Sequence, residues 1–240
     1  MAELLRLESV SAGYGDARVL HDVTLSVEEG RALALLGRNG VGKTTLIGTV
    51  VGQTRLFAGS IRFAGRDVTR MASHRRVLLG LGWVPQERNV FRSLTVEENL
   101  TAVAWPGAWD LARVYALFPR LRERRGNMGN QLSGAEQQML AVGRALVTNP
   151  RLLLLDEPLE GLAPVIIEEL LAILRRVIRD EGASAVIVEQ NAPKILSITD
   201  SAVILERGTI AHAGASSELR ADAKTLDRYL GVARGFGPAA

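Results

Sequence analysis

The sequence predicts an α/β fold: a mixed, mostly parallel sheet flanked by helices, with a helical subdomain set into it. Three observations predict this. Leu152-Leu153-Leu154-Leu155 and the run 185–188 are apolar without alternation, as strands buried on both faces are. A helical stretch, 164–179, separates them in the βαβ manner. Between residues 91 and 147 the pattern changes to capping boxes and apolar residues at helical spacing. The 240 residues, 47% hydrophobic and 23% charged, suffice for one large core or two modest ones and exclude global disorder.

In chain order, Val23, Leu25 and Val27 alternate with polar residues, the period of a half-buried strand. The stretch 31–36 ends in Gly37 and reads as a buried strand; 60–63 reads as another, before a turn at Ala64-Gly65. Thr95-Val96-Glu97-Glu98 is a capping box that opens a helix through Leu100 and Val103, ended by Trp105-Pro106-Gly107. A helix over 110–118 is closed by Pro119. Ser133-Gly134-Ala135-Glu136 is a second capping box, followed by Met139, Leu140, Val142 and Leu146. Strand 151–155 follows, then helix 164–179 with Pro164 in its first turn, where a missing N–H costs nothing. Strands 184–188 and 202–205 complete the series, the latter turning a hairpin at Glu206-Arg207-Gly208. Residues 234–240 read as a tail. The division is a single domain over 1–240, with 1–90 and 148–240 as the α/β core and 91–147 as the helical subdomain.

The formal charge is +3 and the sequence pI about 9.7. The arginines are interleaved with Asp and Glu, so no nucleic-acid partner is expected. The absence of cysteine excludes disulfides and thiolate metal sites. No apolar run approaches the roughly 18 residues of a membrane span, and the first residues lack the pattern of a secretory signal. Lysine is rare: Lys43, Lys194 and Lys224 are the whole set. One of them sits in a glycine loop.

That loop, Gly37-Arg38-Asn39-Gly40-Val41-Gly42-Lys43-Thr44-Thr45, fits G-x-x-x-x-G-K-[ST] between a buried strand and a helix. Glycines let backbone N–H groups curl around phosphate oxygens, and the helix N-terminus adds its positive end. Lys43 supplies a mobile charge for the β- and γ-phosphates, and the Thr44 hydroxyl is suited to Mg²⁺. The leucine strand then delivers Asp156 and Glu157 to its C-terminal edge, where α/β folds bind ligands. Asp156 is a candidate Mg²⁺ ligand through water, and Glu157 a candidate general base for an attacking water.

These motifs, with Gln86 and Leu132-Ser133-Gly134-Ala135-Glu136-Gln137-Gln138 between them and Pro158 after the acids, resemble an ABC-transporter nucleotide-binding subunit over about residues 5–230. The resemblance implies a P-loop NTPase core with N-terminal antiparallel strands, the ABC ATPase fold, together with ATP hydrolysis with Mg²⁺ and two such subunits sandwiching two ATPs. Each P-loop would then face the Ser133-Gly134 signature of a second subunit, either a paralogue or another copy. Tyr14, in Ala12-Gly13-Tyr14-Gly15, matches the aromatic that stacks on adenine. Gln86 matches the residue that senses γ-phosphate and Mg²⁺. Val90 and Phe91 are either contacts for a membrane partner or packed into the helical subdomain. Three positions depart from the family pattern: Ala135 and Ala163 replace the usual glycine and aspartate, and Gln190 stands where a histidine usually faces the γ-phosphate, joining Glu157 and Gln86 as a catalytic candidate. Glu189-Gln190-Asn191 and Gly161-Leu162-Ala163-Pro164 resemble the LivF-type importers of branched-chain and other hydrophobic amino acids. Urea/amide importers, lipopolysaccharide-type exporters and a soluble iron–sulfur assembly ATPase are the alternatives. The importer resemblance implies transmembrane permease subunits as partners, a periplasmic binding protein acting indirectly, and a peripheral place on the cytoplasmic face of the inner membrane.

Overall fold

The computed structural model describes residues 2–231, and the tail expected at 234–240 lies outside them. The first half of the chain comprises β1 (Glu3–Tyr14), β2 (Ala17–Glu28), β3 (Ala32–Leu36), α1 (Lys43–Val51), β4 (Arg55–Phe63), β5 (Arg66–Asp67), α2 (Ser73–Val77) and β6 (Leu81–Val84). Four helices follow: α3 (Val96–Thr101), α4 (Leu111–Leu117), α5 (Pro119–Glu123) and α6 (Gly134–Leu146). The remainder is β7 (Leu152–Asp156), α7 (Pro164–Arg175), β8 (Ser184–Glu189), α8 (Ala192–Ile195), β9 (Ser201–Glu206), β10 (Thr209–Ala215), α9 (Ser216–Ala221) and α10 (Ala223–Leu230).

Two sheets form. The antiparallel one has the order β2-β1-β4-β5; the other runs β10-β9-β3-β8-β7-β6 and is parallel except for β10. Period-2 geometry sorts the side chains of the second sheet between two cores. Leu33, Leu35, Leu152, Leu154, Val186 and Val188 face α1 and the antiparallel sheet. Ala32, Ala34, Leu153, Leu155, Ala185 and Ile187 face α3 to α7. This is why the leucine run carries no polar alternation: a one-residue slip would exchange the two faces without exposing either. Each leucine so buried contributes about 1.5–3 kcal/mol.

Both capping boxes form, at Thr95 with Glu98 and at Ser133 with Glu136. Three boundaries differ from expectation. Strand β4 begins at Arg55 rather than 60, because a register shift opposite Gly59 hides its first half from the alternation; a Cβ on Gly59 would stand 2.4 Å from the Glu8 carbonyl oxygen. Helix α3 stops at Thr101, before Val103, where the Thr101 hydroxyl bonds back to the Glu97 carbonyl. The helix expected over 110–118 does end before Pro119, with Asp110 and Phe118 as its caps, but Pro119 also opens a further helix, α5, as its first residue. The helix expected over 164–179 is α-helical to Arg175 and continues as a π-turn, Arg176–Asp180, which keeps both Val177 and Ile178 buried.

Candidate functional site

Strands β3, β8, β7 and β6 lie side by side and parallel, with Leu36 opposite Glu189, Asp156 opposite Val188, and Val84 opposite Leu155. The loops that follow them therefore leave the same edge of the sheet. Those loops carry Gly37–Thr45, Asp156-Glu157, Gln190 and Gln86. A sheet whose strands are apolar on both faces can place polar chemistry only at such an edge.

The glycine loop curls around Lys43, which is 4% exposed; its Nζ donates to the carbonyl oxygens of Gly37 at 2.9 Å and Arg38 at 3.0 Å. Gly37 has φ 152°, and a Cβ there would stand 2.6 Å from the Leu205 carbonyl oxygen, so the close turn excludes a side chain. Gly42 is the N-cap of α1 and offers no side-chain cap, which leaves the positive end of the helix facing the loop. A cavity of about 280 Å³ opens here, lined by Val19, Asn39, Gly40, Gly42, Lys43, Thr44, Thr45, Gln86 and Glu157.

Glu157 lines the cavity just past β7, and Asp156 ends that strand beside Thr44. Asp156 is buried; its Oδ1 accepts from the Thr44 hydroxyl at 3.3 Å, and its Oδ2 is buried without a hydrogen-bond partner. Burial pushes its carboxyl up to about 6, against the Thr44 bond and Lys43, with the neighbouring Glu157 charge adding to the rise. An orphaned carboxylate oxygen beside a hydroxyl is the donor set a hard divalent cation takes. Glu157 is 7% exposed and held at φ 47°, a strained backbone for a non-glycine residue. Its Oε1 lies 3.3 Å from Lys43 Nζ, and its Oε2 accepts from Gln190 Nε2 at 3.2 Å.

The other expected residues divide by placement. Gln86 lines the cavity, and its amide donates to Glu160 Oε2 at 2.6 Å. Arg38 contributes its carbonyl to Lys43, while its guanidinium turns to the C-terminal helix and donates to the Tyr229 carbonyl at 3.2 Å. Arg38 therefore offers only its backbone to the glycine loop. Val41 packs into the α1 core, and its carbonyl accepts from the Gly208 N–H at 3.0 Å. Tyr14 ends β1 with a 52%-exposed ring outside the cavity lining. Ser133 and Gly134 are exposed at the start of α6 and do not line this cavity either. Val90 packs partly against the core, whereas Phe91 remains 41% exposed under the Arg144 guanidinium, 4.0 Å from its ring centroid.

Sequence reasoning missed four contributors. Val19 reaches the cavity from β2. Arg88, at φ 63°, donates to Gln138 of α6 at 2.9 Å and to the Glu160 carbonyl at 3.4 Å. Glu160 holds Gln86. Glu189, 5% exposed, accepts from the Leu159 N–H at 2.8 Å and the Gln190 N–H at 3.1 Å; burial pushes its carboxyl up to about 7. An acid closing a buried strand was the one signal that could have found it.

Comparison with known proteins agrees with this geometry. Residues 20–160 match the family model for ABC transporters. The high-affinity branched-chain amino acid transport ATP-binding protein BraG of Pseudomonas aeruginosa is 41% identical, over 95% of this chain and 100% of its own length. The lipopolysaccharide export system ATP-binding protein LptB of Acidithiobacillus ferridurans is 35% identical, over 96% of this chain and 98% of its own. A solved ATP-binding subunit of an ABC transporter superposes with a TM-score of 0.80 at 28% identity, covering 93% of this chain and 94% of that one. With a glycine loop around a buried lysine and two acids at one sheet edge, the chain belongs to the ABC transporter family and is one of its ATP-hydrolysing cassettes.

Proposed function

We propose that this chain is the motor subunit of an importer for branched-chain and other hydrophobic amino acids, acting at the cytoplasmic face of the membrane. The observation that carries the motor reading is the convergence of Lys43, Thr44 and Glu157 on one cavity, with Asp156 bonded to Thr44. The substrate class is supported by Glu189-Gln190-Asn191 and Gly161-Leu162-Ala163-Pro164 and by the similarity to BraG. The lipopolysaccharide-exporter reading is disfavoured by Gln190, which stands where the family resemblance implies a histidine.

The mechanism starts with an exchange of partners. An incoming triphosphate draws Lys43 Nζ from Glu157 to the β- and γ-phosphates, while the backbone N–H groups of residues 39–45 enclose the phosphates. Glu157 then has one free oxygen, and Gln190 holds the other. The free oxygen takes a proton from water as the water oxygen attacks the γ-phosphorus; the bond to the β–γ bridging oxygen breaks, and ADP leaves with that electron pair. Thr44 and Asp156 would hold Mg²⁺, which when bound neutralises phosphate charge. Gln86 reaches the same place once Glu160 releases its amide. Tyr14 offers its exposed ring to adenine.

A second subunit completes the site: Ser133 and Gly134, presented by the helical segment 91–147, would aim the N-terminus of α6 at the partner's γ-phosphate. A groove of about 310 Å³ between β6 and α6, lined by Trp83, Pro85, Val103, Ala141 and Arg144 among others, is the proposed seat for a permease helix. Trp83 Nε1 and Arg144 Nε are buried there without partners. Co-expression with a permease pair and its binding protein in vesicles tests the reading. ATP turnover should rise severalfold with leucine-loaded binding protein; stimulation only by urea or by lipopolysaccharide-transport subunits would overturn the substrate assignment.

A further inference from the structure

We infer that Glu189 is a positioning residue for hydrolysis, its carboxylate stitching the loop after Glu157 to the turn that carries Gln190. The inference rests on the reading of Glu157 as the base. Glu189 closes β8, does not line the cavity, and spends both oxygens on backbone N–H groups of two different loops: Oε1 on Leu159 at 2.8 Å and Oε2 on Gln190 at 3.1 Å. Leu159 lies two residues past Glu157, and Gln190 donates its side-chain amide to Glu157 at 3.2 Å. The Glu157 N–H donates to the Val188 carbonyl at 3.0 Å, beside Glu189. These bonds close a ring through Glu157, Leu159, Glu189 and Gln190.

The chemistry of the ring requires a carboxylate. Two backbone donors converge on two oxygens, and an amide would present N–H₂ to one of them. Burying a carboxylate away from any cation is costly. Two converging N–H bonds offset part of that cost and, in the same act, fix Glu157 on its strained backbone. Fixing the base is a contribution realised in the transition state rather than in nucleotide binding. The Leu159 bond also anchors the start of the loop whose Glu160 holds Gln86, so a single carboxylate steadies all three catalytic candidates.

Steady-state ATPase kinetics, fluorescent-ATP binding and thermal melting of the full chain, as wild type, Glu189→Gln, Glu189→Asp and Glu157→Gln, test this. For Glu189→Gln the expected result is a kcat at least tenfold lower, with KM and nucleotide Kd within about twofold and melting within a few degrees. Unchanged kcat overturns the inference, and so does a joint collapse of kcat, binding and melting. If Glu189→Gln melts below the assay temperature, Glu189→Asp carries the test: its charge remains but its reach is shorter, so kcat should fall at unchanged KM, and wild-type kcat would overturn the inference. Glu157→Gln separates the two claims. If it is inactive while Glu189→Gln runs at full rate, only the positioning role fails; if it is fully active, the reading of Glu157 fails.

Discussion

Lys43 Nζ lies 3.3 Å from Glu157 Oε1, and both side chains are almost wholly buried. The lysine of the glycine loop and the proposed base are thus each other's partner in the ligand-free chain. The pair spares two charges the cost of lone burial. Lys43→Ala should raise the ATP Kd at least a hundredfold. It should also destabilise the chain, by about 3–5 kcal/mol for a broken buried pair. Adding Glu157→Gln should restore melting without restoring binding; restored binding would count against the lysine's role.

Arg76 makes a second, purely structural claim on the same helix. Its guanidinium is 4% exposed and donates to the carbonyls of Thr49 and Val50 at the end of α1, and to Thr69 and Met71. It thereby caps the helix whose other end carries Lys43. Arg76→Ala would remove four hydrogen bonds, the Thr49 carbonyl alone keeping a second donor in the Gly52 N–H, and should cost about 2–4 kcal/mol in chemical denaturation. Arg76→Lys should recover less than half, because one ammonium cannot span the fork.

The pH dependence of stability has a defined sign. Burial raises Asp156 to about 6 from an ordinary 3.8, so the folded chain holds this proton more tightly than the unfolded one. The resulting stability is complete below about pH 4 and is lost as pH rises through about 6. The ligand-free melting temperature of wild type relative to Asp156→Asn should therefore fall by a few degrees across that window, as differential scanning at fixed salt would record. A constant difference would contradict the buried, unpaired placement of this acid.

Ala135 stands second in α6, beside the exposed Gly134. If its methyl crowds a partner's γ-phosphate, Ala135→Gly should raise the ATPase rate of a homodimer severalfold with little change in melting. Equal rates would show that the departure from the family's glycine is tolerated.

Much of this was legible in the sequence because local chemistry fixed it. Gly37–Thr45 needs no distant residue to be a cradle, and the capping boxes at Thr95 and Ser133 satisfy helix ends from within four residues. The leucines of β7 announce a doubly buried strand in any context. What escaped was written in pairs far apart. The Arg38 side chain reaches the Tyr229 carbonyl, and nothing near residue 38 records that. Glu189 is an unremarkable acid until Leu159 is brought against it. The short β6, with Gly82 at its centre, and the bulged first half of β4 lack the alternation that marks a strand, and pairing with β7 and β1 decides them instead.

The central claim is that Glu157 serves as the base for water once a triphosphate has taken Lys43. Single-turnover hydrolysis and ATP binding measured on wild type and Glu157→Gln test it most directly. The account predicts a hydrolysis rate about 10²–10⁴-fold lower with ATP affinity retained or improved. Hydrolysis at the wild-type rate by Glu157→Gln would contradict it.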